Sequence, residues 1–339
     1  MTADLPVIAA LGAGRMGRGV AQVFAYAGHR VILVDAKPRP EATARRLAEE
    51  ARAEIESSLA ALAEIGAFEA KAIVSILDRV GFAARDAAPA ALAEADVVFE
   101  GVPEVLEWKR EIFAFACPHL RSDAILASTT STFLVDTLAD CVAAPERFLN
   151  AHWLNPAYII PLVELSPGRR TDPAAVARMK ELLESIGKVP VVCAAAPGYI
   201  VPRIQAIAMN EAARLVEEGL ATPEDVDKAT RYGLGFRYAA MGLLEFIDYG
   251  GGDILYYASR YLAEAMKDRR YAAPEIIDRN MRDGHIGLRT GRGFYDFAGV
   301  DVPAYRKDVL RRLVSQLEHL DLLRPPGAAL QHRNDGKGG

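Results

Sequence analysis

The sequence predicts an α/β fold, with a doubly wound and mostly parallel sheet followed by an all-helical C-terminal domain. Three observations predict it. Short apolar runs alternate with helical periods through residue 193, a glycine-rich turn joins the first run to the first helix, and helical patterns dominate after residue 194.

Residues 7–11 form a short apolar run entering GAGRMG, followed by an amphipathic stretch to Ala27 and the run RVILVD, which ends at Asp35. Strand, turn, helix and strand in that order make a first βαβ unit. Residues 40–72 are Ala- and Glu-rich with a helical period, and the expectation is two helices. Further apolar runs at 95–102, 124–128, 147–153, 161–165 and 189–193 read as strands, with helical stretches between most of them. A sheet wrapped on both faces follows from that alternation. The character changes at AAAPGYIVPR, residues 194–203, beyond which 204–218, 223–232, 243–265 and 302–323 read as helices. The expected domains are therefore 1–194, which binds a nucleotide, and 195–323, which is helical. The Pro/Gly-rich tail at 324–339 is expected to be disordered.

Composition narrows the class of protein. The 339 residues suffice for two domains with a large core, and 51% hydrophobic with 25% charged residues is ordinary for a globular chain. A formal net charge of −5 gives no electrostatic reason to expect nucleic acid or an anionic membrane as partner. Cys117, Cys141 and Cys193 lack metal-type spacing, and their odd number argues against a disulfide framework, so they read as reduced and mostly buried. No apolar run approaches the ~20 residues needed to span a bilayer. The N-terminus carries no basic segment before its apolar run, so it reads as a strand rather than a signal peptide, and a cytoplasmic protein is expected.

Gly12, Gly14 and Gly17 form G-x-G-x-x-G between a strand and a helix, with Met16 in the same turn. The first glycine allows the tight turn, the second lets a pyrophosphate approach the backbone, and the third lets helix and strand pack closely. Asp35 ends the next strand, where a carboxylate binds the adenosine ribose hydroxyls. It would repel a ribose 2′-phosphate, so NAD is expected over NADP, although Lys37 and Arg39 follow it. The loop GVPEVLEWK places Glu104 and Lys109 beyond a strand carboxyl end, where doubly wound sheets hold ligands; a solvated charge pair at a helix start is the alternative. No metal site is expected.

Ser131, His152 and Glu164 fall on three successive elements of the first domain. A hydride-transferring enzyme needs a base for the alcohol proton, and an imidazole oriented by a carboxylate on its other nitrogen serves. The alternative is a satisfied core histidine beside an unrelated glutamate.

GAGRMGRGVAQVFAYAGHRVILVD, VPEVLEWK, ASTTST, AHWLNP, LVEL, PGYIVPR and RTGRGFYDF together resemble the L-3-hydroxyacyl-CoA dehydrogenase family, in order and spacing across residues 7–297. The resemblance implies a Rossmann-like domain followed by a helical domain that dimerises, and hence a homodimer. It implies His152 as the base, Glu164 as its partner and Ser131 as the hydroxyl that meets the substrate oxygen. It further implies Asn155 in the segment around the site, and Glu104 and Lys109 near the nicotinamide half of the cofactor. Two departures bear on substrate. Pro202 stands where the family usually has a substrate-holding asparagine, with Asn210 a conceivable substitute, and proline offers neither a side-chain amide nor an N–H. Residues 53–70 contain no Lys or Arg but hold Glu54, Glu56, Glu64 and Glu69, where CoA-using members carry lysine-rich helices. GLGFRYAAMGLLE, residues 233–245, is similar to the lambda-crystallin/L-gulonate dehydrogenase branch, and Arg237 in it would clamp a substrate carboxylate. The expectation is NAD-dependent oxidation of an L-3-hydroxy acid, with a small free acid favoured over a CoA thioester. The alternative of another class is a non-catalytic, crystallin-like NAD-binding protein.

Overall fold

The computed structural model describes residues 5–326, and the expected disordered tail lies outside them beyond position 326. The chain separates into two compact units between Met209 and Asn210. The first holds eight strands: β1 (Ile8–Leu11), β2 (Val31–Asp35), β3 (Val80–Ala84), β4 (Val97–Glu100), β5 (Ile125–Ser128), β6 (Phe148–Trp153), β7 (Leu162–Pro167) and β8 (Val189–Val192). Its helices are α1 (Arg15–Tyr26), α2 (Glu41–Glu64), α3 (Ala72–Leu77), α4 (Ala88–Glu94), α5 (Leu106–Ala116), α6 (Val135–Ala139) and α7 (Pro173–Ser185), and α8 (Val201–Glu217) contains the division between units.

The strands form one sheet in the order β3-β2-β1-β4-β5-β6-β7-β8. Pairing is parallel throughout except between β6 and β7, which run antiparallel. Chain order reverses between β1 and β4, which is the switch point where doubly wound sheets open a crevice at the strand carboxyl ends. The central strands read as continuous apolar runs because both faces are covered. Ile8, Ala10, Val31, Leu33, Val97 and Phe99 enter the core on one face; Ala9, Leu11, Ile32, Val34 and Val98 enter that on the other. On the first face Phe24, Phe99 and Trp153 meet with ring centroids 5.5, 5.7 and 6.2 Å apart. Each such pair adds about 0.5–1.5 kcal/mol beyond its area burial. Trp153 belongs to β6, the strand that also carries His152, so this cluster anchors that strand.

Two expectations for this unit need correction. Residues 40–72 hold one 24-residue helix, α2, and the chain then turns at Gly66 (φ +81°) before α3 begins at Ala72. Strand β3 was not expected at all, since VGFAA is short, small-residued and only partly buried at the sheet edge.

The second unit is helical, with α9 (Pro223–Ala229), a π-helical turn at Thr230–Gly235, α10 (Phe236–Ala240), α11 (Leu243–Gly250), α12 (Gly252–Ala265), α13 (Glu275–Arg282) and α14 (Val302–His319). The single helix expected over 243–265 is broken at Gly251, whose φ of +109° a helix interior cannot accommodate. Asp248 on α11 is buried and accepts the N–H groups of Phe294 and Tyr295, so it clasps the late GRGFYDF loop. Of the residues 309, 313, 317 and 320, which recur at helical spacing and fit either a dimer surface or the core, Val309 is fully buried and Leu313 and Leu317 half-buried on α14, while Leu320 past its end is exposed, so the helical part of this stripe packs inward. Among the described residues no helix is long and apolar enough to cross a membrane.

Candidate active site

A cleft of about 1110 Å³ runs along the carboxyl ends of the strands, from Asp35 at one end to His152 and Asn155 at the other. Gly12, Gly14 and Met16 line its middle, where α1 begins. Gly12 adopts φ +112° and would bring a Cβ to 3.1 Å from the Gly101 carbonyl oxygen, so only glycine fits this turn. A Cβ on Gly14 would meet nothing within 4 Å, which leaves open space where a pyrophosphate approaches. A Cβ on Gly17 would fall 1.9 Å from the Gly12 carbonyl oxygen, so this glycine lets α1 pack against the turn rather than lining the cleft. The N-terminus of α1 has no side-chain cap and no acidic residue in its first turn, which leaves its N–H groups available to an anion. Asp35 is buried at the end of β2, and its Oδ2 accepts from Arg39 Nε at 2.6 Å. A carboxylate at one end, bare helical N–H groups in the middle and a base at the other fit a dinucleotide.

The loop after β4 builds the cleft floor around an ion pair that the sequence did not reveal. Lys109 and Glu100 are 1% and 0% exposed, and Lys109 Nζ donates to Glu100 Oε1 at 2.9 Å and Oε2 at 3.0 Å. Glu100 Oε1 also accepts the Val102 N–H at 2.8 Å, and Oε2 the Ser128 hydroxyl at 2.5 Å. Glu104 lies 3.6 Å from Lys109 Nζ and accepts from Thr130 Oγ1 at 2.8 Å. The same carboxylate accepts from the Ser131 N–H at 2.6 Å and the Ser131 hydroxyl at 3.1 Å. Glu104 and Lys109 are therefore not a solvated pair. Lys109 touches the cleft, yet its ammonium is spent on the two carboxylates, and Glu104 is what holds the Ser131 loop. The cue for Glu100 was a carboxylate ending an otherwise apolar run.

His152 and Glu164 face each other directly across the antiparallel β6–β7 pair. His152 Nδ1 lies 2.8 Å from Glu164 Oε2, and both side chains are buried. A carboxylate only accepts, so Nδ1 carries the proton and Nε2 is left as the acceptor. Glu164 Oε1 takes the N–H groups of Ile200 and Val201, each at 2.9 Å, at the start of α8. That satisfies a buried charge which would otherwise be costly. Pro202 occupies the first turn of the same helix, where no N–H is required. Ser131, His152 and Asn155 all line the cleft, while Glu164 sits behind the histidine.

Tyr199 was not singled out from the sequence. Its ring stacks on the His152 imidazole with centroids 4.7 Å apart and planes 11° from parallel. The hydroxyl donates to the Thr130 carbonyl at 2.8 Å and accepts from Asn150 Nδ2 at 3.1 Å. Burial pushes this phenol well above its usual range, so it stays protonated.

The remaining candidates make other contacts. Arg237 belongs to the second unit, where its Nε donates to the Gly233 carbonyl at 2.9 Å and its guanidinium lies 4.8 Å from the Phe246 ring centroid. The three cysteines are free and half-buried rather than deeply buried. Burial raises the thiols of Cys117 and Cys193, the latter further raised by the Glu164 charge, which opposes a nucleophilic role. Among the described residues no group of three or more His, Cys, Asp or Glu is placed to hold a metal ion.

Comparison with known proteins shows the family. Residues 7–196 match the family model of the 3-hydroxyacyl-CoA dehydrogenase NAD binding domain, and residues 198–297 that of the 3-hydroxyacyl-CoA dehydrogenase C-terminal domain. The chain is 30% identical over 309 residues to the 5-formyl-3-hydroxy-2-methylpyridine 4-carboxylate 5-dehydrogenase of Mesorhizobium japonicum, covering 91% of this chain and 96% of that one. It is 37% identical over 261 residues to the lambda-crystallin homolog of Bos taurus, covering 77% and 78%. The crystal structure of a 3-hydroxyacyl-CoA dehydrogenase from Archaeoglobus fulgidus is similar with a TM-score of 0.74 and 32% identity, covering 94% of this chain and all of that one. With both domains matched and a cleft that fits the dinucleotide, the chain belongs to the 3-hydroxyacyl-CoA dehydrogenase family of NAD-dependent oxidoreductases.

Proposed function

We propose that this protein oxidises the secondary alcohol of an L-3-hydroxy acid to the 3-oxo product, with a small free acid as substrate rather than a CoA thioester. The observation that carries the reading is the His152–Glu164 contact of 2.8 Å at the end of a cleft whose other end is Asp35. When bound, NAD supplies the two-electron acceptor for the alcohol carbon. His152 Nε2 takes the hydroxyl proton, because Glu164 holds the Nδ1–H tautomer and stabilises the imidazolium that forms. Ser131, whose hydroxyl rests on Glu104, turns to the substrate oxygen and positions it, and Asn155 lines the same end of the cleft. Gly12, Gly14, Met16 and Asp35 hold the cofactor, with Gly17 shaping the turn beneath it. Glu104 and Lys109 form the floor on the nicotinamide side.

The preference for a free acid rests on charge. Arg45, Arg46 and Arg52 lie in the first half of α2, but residues 53–70 carry no cation, Lys71 beyond them pairs with Glu69, and Glu54 pairs with Arg18 at 2.7 Å. Phosphates of CoA need cations, usually bidentate ones. A relative at 30% identity is named for a pyridine carboxylate, which is also an acid without CoA. Arg237 as the clamp for the substrate carboxylate rests on its sequence context. A homodimer joined through the helical unit, and a cytoplasmic setting consistent with three free thiols, complete the reading.

The test is NAD reduction across 3-hydroxybutyryl-CoA, free 3-hydroxybutyrate, carnitine and L-gulonate. A free acid is expected to have the highest kcat/KM, with Arg237→Ala raising KM for it. Strong preference for the CoA ester would overturn the substrate class. On the best substrate, His152→Ala is expected to lose roughly 10²–10⁴-fold in kcat; near-normal turnover would rule out the mechanism.

A further inference from the structure

The Glu164 hydrogen bond fixes His152 Nδ1, and together with the Cβ–Cγ bond it leaves the ring plane free to tilt as χ1 and χ2 change together. A face packed flat against the ring removes that tilt. Tyr199 provides that face at 4.7 Å and 11°, within the range of offset-stacked aromatic pairs. The phenol is itself fixed at its far end, where the hydroxyl donates to the Thr130 carbonyl and accepts from Asn150. Thr130 precedes Ser131 in the chain, and both residues are bonded to Glu104. The plane of the base and the loop bearing the hydroxyl thus share one frame. We propose that Tyr199 is the positioning residue of the site, its ring fixing the plane of His152 and its hydroxyl setting that plane against the Ser131 loop.

The backbone supports the assignment. Tyr199 has φ +46°, in the left-handed region that bulky side chains avoid at a cost of roughly 1–2 kcal/mol. Among the described residues the other non-glycines with positive φ are Lys267 and Asp321, which follow the C-termini of α12 and α14, where this conformation is common. Tyr199 follows no such helix end. Gly198 before it has φ +79°, and Ile200 and Val201 after it donate to Glu164 Oε1. One strained turn therefore delivers both the stacking ring and the N–H groups that hold the orienting carboxylate, a pattern found where strain serves a site.

This inference rests on the reading of His152 as the base. The test uses the full-length enzyme with Tyr199→Leu and Tyr199→Phe, measuring kcat, KM and the pH dependence of kcat on the best substrate, together with the His152 imidazole signals by NMR. Tyr199→Leu removes the stack and is expected to lower kcat about 100-fold, as a misplaced catalytic group does, while KM for NAD changes less than about threefold. It should also displace the acid limb of the pH profile and the His152 signals. Tyr199→Phe keeps the ring, so the pH limb stays, with kcat reduced about 3- to 10-fold by loss of the tether. A folded Tyr199→Leu enzyme with normal kcat and an unmoved limb would overturn the proposal, as would equal losses in both variants with an unmoved limb, which mark a packing role. If Tyr199→Leu does not fold, Tyr199→Phe decides: unchanged kcat with unchanged His152 signals overturns the tether. Normal turnover by His152→Ala would instead reject the base itself, whatever the Tyr199 variants do.

Discussion

Lys109 is a cation removed from water and held by a carboxylate equally removed, with Glu100 Oε1 and Oε2 at 2.9 and 3.0 Å. Such a pair adds little over a well-packed apolar replacement, but breaking it strands a buried charge. Lys109→Met is therefore expected to destabilise the fold by about 3–5 kcal/mol, whereas Glu100→Gln combined with Lys109→Met recovers most of that loss. Urea unfolding of the single and double variants measures the coupling, and additive effects would show that the pair is solvated. Tyr199 gives a second prediction at this scale. Its phenol is raised in the folded state by burial, so the stability it lends is complete below the ordinary phenol pKa of about 10 and is lost as pH rises above it. Tyr199→Phe should flatten that alkaline loss in thermal melts taken between about pH 8 and 11. An identical alkaline slope in both proteins would show that another group controls it.

At the scale of elements, the β1–α1 turn was legible because its constraint is local. Gly17 is needed since a Cβ there would lie 1.9 Å from the Gly12 carbonyl oxygen, a backbone atom that cannot swing aside. Gly17→Ala must push α1 off the turn, and is expected to weaken NAD binding roughly 10- to 100-fold by calorimetry while leaving the helical content intact. Unchanged affinity would mean that the turn yields freely. The strands that flank the cleft were legible for the same kind of reason, since their apolar runs are buried on both faces. The residues alone left the pairing of His152 with Glu164 open against an unrelated glutamate, the family resemblance implied it, and the antiparallel register sets the two opposite each other. What the sequence concealed depends on partners far along the chain. Tyr199 meets Thr130 across 69 positions and Asn150 across 49, and nothing in PGYIVPR signals either contact. Lys109 finds Glu100 nine positions back only because β4 and α5 fold together at the cleft floor. The edge strand β3 lacks the apolar weight of its neighbours, and the break at Gly251 falls inside an otherwise unbroken helical period.

For the whole molecule, the open question is what covers the second unit. On α12, Ile254, Tyr257 and Tyr261 stand 65%, 63% and 71% exposed. Their spacing of three and four residues puts them on one face. Large apolar side chains clustered in this way mark an interaction surface more often than scattered ones do. A second copy of the chain is the partner proposed above, and α12, rather than the inward-packed stripe of α14, is the helix to test. A stable symmetric dimer buries on the order of 800 Å² per partner, with aromatic residues at its centre. Light scattering is expected to give twice the chain mass of 36.7 kDa for the parent protein. Ile254→Glu combined with Tyr261→Glu places two like charges on each facing surface, and should shift the mass to that of the single chain. NAD affinity should be unchanged in that variant, because every residue lining the cleft belongs to the first unit. A parent protein that stays monomeric at all concentrations removes the dimer from the reading, and a charged variant that remains dimeric moves the interface away from α12.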